Sequence, residues 1–72
     1  MKYYVLQATR EKEQEIDAIA VTQKDNEKEA RMLFHQILAS AYANENLEFL
    51  MAQITNEWGG VVDSEEWHEP QV

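Results

Sequence analysis

The residues best suited to chemistry lie near the C-terminus, in the segment Asp-Ser-Glu-Glu-Trp-His-Glu that spans positions 63–69. Asp63 and Glu65 are two positions apart, which puts both carboxylates on one face of a strand, and His68 follows nearby. Carboxylates and an imidazole can hold a metal ion or transfer protons. Without spaced histidines the pattern is weak evidence for a metal, and a charged, solvated sheet edge explains it equally well. We therefore predict no metal and no cofactor.

Other patterns typical of catalysis are missing from the chain. Gly59-Gly60 is the only glycine pair and fits a turn rather than a phosphate-binding loop. No nucleophile elbow, HExxH or EF-hand pattern is present, and Ser40 and Ser64 have no triad context. His35 falls at the border of a predicted helix's apolar side, where we expect a partly buried, hydrogen-bonded side chain rather than a base. We predict that the protein is not an enzyme.

The size of the chain limits how it can be stabilised. Its 72 residues form one predicted domain, 1–72, and a chain this short buries only about 60% of the surface that it exposes when unfolded. It has no cysteine, so disulfides and thiolate zinc sites are excluded, and oligomerisation or a partner remains. The N-terminus lacks the apolar region of a signal peptide, and no apolar run is long enough to cross a bilayer. We expect a soluble protein in the cytoplasm.

Charge is distributed unevenly along the sequence. The net charge is −8, and all six basic residues lie within the first 31 positions, together with seven acids. Residues 32–72 hold the other seven acids and no base, so that part carries −7 and the first part −1. A field of one sign attracts basic partners and repels nucleic acid and anionic membranes. The alternative is that the acids serve solubility alone.

Periodicity predicts four strands and one helix. The strands are predicted over 3–9, 16–22, 47–55 and 60–67, and the helix over 26–43. Asn26 with Glu29 fits a capping box, and Asn44 or Asn46 can supply a left-handed residue at the helix end. A single apolar stripe follows the helix: Ala30, Leu33, Phe34, Ile37, Leu38 and Ala41. Gly59 can adopt a positive φ in the last turn, and Pro70 should end the fourth strand.

The predicted fold is an α+β, two-layer ββαββ domain, with a four-stranded antiparallel sheet and one helix packed on one face. Both faces of the predicted strands carry large apolar residues, and one helix can cover only one of them. We therefore predict self-association, most simply as a symmetric dimer. Isolated exposed apolar residues are the alternative. The face predicted for self-association consists of Tyr3, Val5, Phe49, Met51, Val61 and Trp67.

Trp58 and its acidic neighbours form the predicted partner-binding surface. Trp58 lies in a predicted turn next to Glu57, where an exposed tryptophan is a candidate binding hot spot. The alternative is that Trp58 folds back onto the sheet. The full predicted surface is Glu57, Trp58, Asp63, Glu65, Glu66 and Glu69.

Three stretches of the sequence resemble a known set of proteins. The first is Tyr-Tyr-Val at 3–5. The second is on the predicted helix, with Glu-Ala at 29–30 and Phe-His-Gln-Ile-Leu-Ala at 34–39, and the third is Val61 followed by Ser-Glu-Glu-Trp at 64–67. In these the chain resembles very small proteins from prophages and other mobile elements of Gram-positive bacteria. The resemblance implies a genomic setting in which small acidic proteins often act as stoichiometric inhibitors. Some of them occupy the nucleic-acid groove of a host defence nuclease. The turn at 56–59 departs from the plainer Asp/Asn-Gly turn expected, so the resemblance says nothing about Trp58.

Three functions follow as hypotheses. The first is a phage-derived, non-enzymatic module that docks an acidic surface on a basic, nucleic-acid-binding host or defence protein. The second is a homo-oligomeric structural or accessory protein of a mobile element. The third is a small-ligand sponge formed at a subunit interface.

Overall fold

The computed structural model describes residues 1–69, which form four strands and one helix. The elements are β1 (Tyr3–Glu11), β2 (Ala18–Lys24), α1 (Glu27–Tyr42), β3 (Leu47–Asn56) and β4 (Val61–His68). The predicted α+β class, with four antiparallel strands in one sheet and one helix in the order ββαββ, is confirmed. The predicted strand end at Pro70, and the last three residues of the predicted domain, lie outside the described residues.

The strand order in the sheet is β2-β1-β3-β4, and every neighbouring pair is antiparallel. Tyr3 pairs with Lys24 on one side and with Asn56 on the other. The second and third strands therefore run in the same direction with β1 between them, and α1 makes the connection. This order leaves β2 and β4 as the two edge strands. The acidic segment at 63–69 therefore lies along an edge, because residues 63–68 belong to β4.

The second strand begins two residues later than predicted. Ile16 belongs to the loop between β1 and β2 and is exposed. Arg10 of β1 pairs with Asp17 of that loop across 3.2 Å, and Glu13 in the loop has φ 71. The prediction started the strand at Ile16 because isoleucine favours strands. In the structure, residues 16–17 belong to the turn that precedes β2.

The helix begins as predicted and ends differently. The side chain of Asn26 accepts a hydrogen bond from the Glu29 N–H at 2.8 Å, which caps the first turn. The predicted left-handed end at Asn44 or Asn46 is wrong, because neither asparagine has a positive φ and Ala43 caps the helix with φ −81. The Asn44 side chain instead accepts the Asn46 N–H at 3.0 Å, and this local turn leads the chain into β3.

The core combines one side of the helix with alternating residues of the central strands. The predicted helix stripe is buried at Ala30, Phe34, Leu38 and Ala41, and Leu33 and Ile37 pack partly against it. The strand residues in the same cluster are Val5, Leu47, Leu50, Ala52 and Ile54. We call the sheet face that carries Val5, Leu50, Ala52 and Ile54 the core-side face, and the opposite face the second face.

Candidate interaction surface

Trp58 lies at the tip of the turn between β3 and β4 and is 78% exposed. Asn56 holds this turn, because its side-chain Oδ1 accepts the N–H groups of both Trp58 and Gly60 at 2.9 Å. Gly59 has φ 84, as the predicted turn requires, and donates its N–H to the Asn56 carbonyl at 3.0 Å. The indole of Trp58 therefore does not fold back onto the sheet. Hydrogen bonds to Asn56 hold the backbone of the turn, and the indole is exposed to solvent.

The acidic residues of β4 are divided between the two faces of the sheet. Asp63 and Glu65 pair with Ile54 and Ala52, which places them on the core-side face. Glu66 and His68 lie on the second face, where His68 Nε2 is 2.7 Å from Glu66 Oε1. His68 is thus on the opposite face from the two carboxylates that suggested a metal. Among residues 1–69 no group of three or more potential ligands is placed to hold a metal ion.

Basic residues from the first part of the chain neutralise three of the later acids. Arg31 pairs with Asp63 across 3.4 Å, and Lys12 pairs with Glu69 across 2.9 Å. The third pair joins Arg10 to Glu48 across 3.3 Å. The hydrogen bond to the Glu69 carboxylate, followed by its charge, raises the pKa of the Lys12 ammonium. The uneven charge along the sequence is therefore partly evened out in the folded molecule, and two predicted binding acids, Asp63 and Glu69, already have partners.

Three predicted binding acids remain without such a partner. Within residues 1–69, no lysine or arginine side chain lies within ion-pair distance of Glu57, Glu65 or Glu66. Glu57 accepts only the backbone N–H of Lys2, at 2.9 Å. These residues follow the β4 edge and the turn that leads into it. We call Glu57, Trp58, Glu65 and Glu66 the acidic rim.

Glu65 also influences the end of the helix. Tyr42 packs edge-on against Trp67, with ring centroids 6.3 Å apart. The pKa of the Tyr42 phenol is raised above its ordinary value, first by desolvation and then by the charge of Glu65 and a hydrogen bond to it. Because folding favours the neutral phenol, this contribution to stability is complete at neutral pH and is lost as the pH rises above 10.0 through the raised pKa.

Replacing Glu65 with glutamine should lower the pKa of Tyr42 without restoring its ordinary value, because desolvation is the larger cause. An NMR titration of the tyrosine ring carbons would measure the change. Glu66→Gln is the matched control, since its side chain lies on the other face and should leave the Tyr42 pKa unchanged. Equal responses to the two substitutions would contradict the placement of Glu65 beside Tyr42.

The structure does not bring the six residues predicted for self-association onto one face. Phe49, Met51 and Val61 lie on the second face, but Tyr3, Val5 and Trp67 belong to the core side. Val5 is only 1% exposed, which removes it from any surface. The reason is register: Val5 pairs with Ile54, whereas the prediction combined it with the opposite set of third-strand residues. Trp67 is partly buried against the core.

The second face nevertheless carries exposed apolar side chains that the sequence prediction did not combine. Ile19 and Val21 of β2 are 73% and 61% exposed, and Val61 at the other edge is 60% exposed. Tyr4, Leu6 and Met51 lie between these edges and are half-buried. At one end of the second face, the Arg10 guanidinium lies over the Phe49 ring, 5.4 Å from its centroid, in a cation–π contact.

His35 is exposed on the helix and contacts the edge of Phe34, with ring centroids 5.5 Å apart. The expectation that it would be partly buried is wrong, because the helix turns that position away from the sheet.

No helix in the part of the chain that the structure describes is long and apolar enough to span a membrane. No protein-family model, curated protein or solved structure gives a significant match to this chain.

Proposed function

We propose that this chain is a non-enzymatic binding module that docks its acidic rim on a basic, nucleic-acid-binding protein and blocks that protein's groove. In the setting that the resemblance implies, it is a phage-derived inhibitor of a host or defence protein in the bacterial cytoplasm. The proposal includes a two-layer arrangement in which the helix covers only the core-side face of the sheet. The shared cluster of Phe34, Leu38, Leu50 and Ile54 supports that arrangement.

The observation that carries the proposal is the distribution of ion pairs. Arg10, Lys12 and Arg31 pair with Glu48, Glu69 and Asp63, respectively. Glu57, Glu65 and Glu66, which these pairs leave without a lysine or arginine partner, lie along the β4 edge and beside the exposed Trp58. A basic partner would supply the counter-charges that the chain itself does not provide there.

Trp58 gives the acidic rim a means of binding beyond charge. A tryptophan that enters a pocket on the partner buries a large apolar surface, and such residues dominate many interfaces. Two hydrogen bonds to Asn56 hold the turn in place before binding, so less ordering is required when the complex forms. Glu57 and the β4 acids would orient the partner, and Trp58 would supply most of the affinity.

Capture from a bacterial lysate with competition by nucleic acid tests this proposal. The immobilised chain should retain a basic protein, and a short double-stranded DNA should displace it because both ligands use the same groove. A chain that carries Trp58→Ala and Glu57→Lys is the matched negative control. Retention of the same proteins by both chains, or retention that DNA does not affect, would contradict the proposed function.

The exposed second face supports the other candidate, a homo-oligomeric structural or accessory protein. Ile19, Val21 and Val61 place apolar side chains at both edges of that face, with Leu6 and Met51 between them. A second copy packed against this face would remove them from water. In that case the acids would serve solubility, and Trp58 would have no partner to bind.

A further inference from the structure

The β2 edge strand is exposed on both sheet faces and along its outer side. All residues from Ala18 to Gln23 are exposed, although they form a regular strand paired to β1 on one side. Their types, Ala-Ile-Ala-Val-Thr-Gln, favour a sheet and carry no charge. Natural sheets usually protect such an edge with charges, proline, a bulge or a covering element. The other edge, β4, has three acids and an irregularity in its pairing, whereas β2 has neither within residues 18–23.

The helix leaves an open cavity at the Lys24 end of this edge. Ala18, Ala20 and Thr22 are on the core-side face of β2, because Thr22 pairs with Val5 and Ala20 with Gln7. A cavity of about 240 Å³ opens between the end of β2 and the helix, with Lys24, Glu29, Met32, Leu33 and Gln36 around it. Met32 is 64% exposed beside it. Both the small side chains of β2 and the flank of the helix thus lack a covering partner.

We propose that two copies of this chain join through β2, which pairs antiparallel with β2 of the second copy to make one continuous sheet. The backbone groups at the edge then gain hydrogen-bond partners, as in other cases of strand addition. A two-fold axis perpendicular to the sheet keeps both helices on the same side of the continuous sheet. On the second face, Ile19 and Val21 contact their counterparts and join the two apolar surfaces.

The composition of β2 favours a second copy over a charged strand as the occupant. Residues 18–23 carry neither acids nor bases, so a charged strand would find no counter-charge there. An uncharged strand of small and β-branched residues fits this edge best, and β2 itself is such a strand. The acidic rim lies at the opposite edge and stays accessible, so this dimer does not depend on the proposed function.

Symmetry makes the pairing testable at single residues. Opposite residues in an antiparallel pair must point to the same face, so the two-fold axis must place one β2 residue directly opposite itself. The two Cα atoms there would be about 4.5–5.5 Å apart, within the range of a disulfide. The natural chain has no cysteine, so single cysteines at Ile19, Ala20 and Val21 can be compared without background.

We expect one of these three variants to form a disulfide-linked dimer under mild oxidation and its neighbours to react much less. Ser64→Cys, on the opposite edge strand, is the control and should remain monomeric on a non-reducing gel. If none of the β2 cysteines cross-links, or if Ser64→Cys does so as readily, the proposed pairing is wrong.

Sedimentation of the unlinked chain gives the independent readout. Val21→Lys should weaken the dimer by about tenfold or more, because the symmetry brings two like charges together at the edge. Val61→Lys, on the second face at the other edge, should leave the dimer intact.

Added salt should tighten the wild-type dimer, because it screens the repulsion between two chains of charge −8. A wild-type monomer at all concentrations, or equal effects of the two lysines, would overturn the proposal; the second result would indicate face-to-face packing.

Discussion

Phe34→Ala should leave most of the chain unfolded at 25 °C. Phe34 is 2% exposed and belongs to the cluster that joins the helix to β1 and β3. Removing a buried phenylalanine ring costs about 3–5 kcal/mol. The core of a domain this small supplies about the same amount, so the substitution removes most of the available stability. Urea unfolding followed by circular dichroism would measure the loss directly.

His35→Ala is the matched control for this substitution. It removes a ring at the adjacent position of the same helix, but His35 is exposed and makes only an edge contact with Phe34. We expect its free energy of unfolding to fall by no more than about 1 kcal/mol. If Phe34→Ala unfolds as cooperatively and as late as the control, then the helix does not contribute to the core in the way described.

The second large effect concerns the rate at which a basic partner binds. Reversing Glu65 and Glu66 to lysine changes the β4 edge from two uncompensated negative charges to two positive ones. Electrostatic steering raises association rates by about 10- to 1000-fold, so we expect the association rate at low salt to fall by about tenfold or more. Surface plasmon resonance with the protein retained from lysate would report the rate, and the difference should shrink as salt is added.

A control with the same net charge separates local from overall electrostatics. Glu13→Lys with Glu15→Lys makes the same change in net charge, but in the exposed loop that joins β1 to β2, the strand at the other edge of the sheet. This variant should lose far less of the association rate. Equal losses in both variants would mean that only the net charge of the chain matters and that the acidic rim is not the docking surface.

Local features of this protein could be predicted well from its sequence. Asn26 and Glu29 mark the helix start through a cap that involves only neighbouring residues, and the helix stripe follows from a period that any isolated helix has. Gly59 marks the turn for the same reason, because a positive φ favours glycine. Each of these features depends on a few adjacent residues, so the sequence contains what is needed to find them.

Features that depend on distant residues could not be predicted. Alternation divides each strand into two sets, but it does not say which set of one strand shares a face with which set of the next. Val5 was therefore grouped with Phe49 and not with Ile54. The ion pair between Arg31 and Asp63 joins residues 32 positions apart, and no local pattern indicates it. The net charges of the two parts of the sequence therefore do not describe the folded surface, where bases of the first part lie beside acids of the second.

The hydrogen bond from the Lys2 N–H to Glu57 has a practical consequence for experiments on this chain. It holds the Lys2 backbone nitrogen 2.9 Å from a carboxylate oxygen of Glu57, the acidic-rim residue that precedes Trp58 in sequence. An affinity tag or fluorescent protein fused ahead of Met1 would therefore stand beside the surface that is to be tested and would compete with its partner for space. Glu69, which pairs with Lys12, lies at the far end of β4 from that turn, so a fusion attached after Val72 should leave the indole accessible.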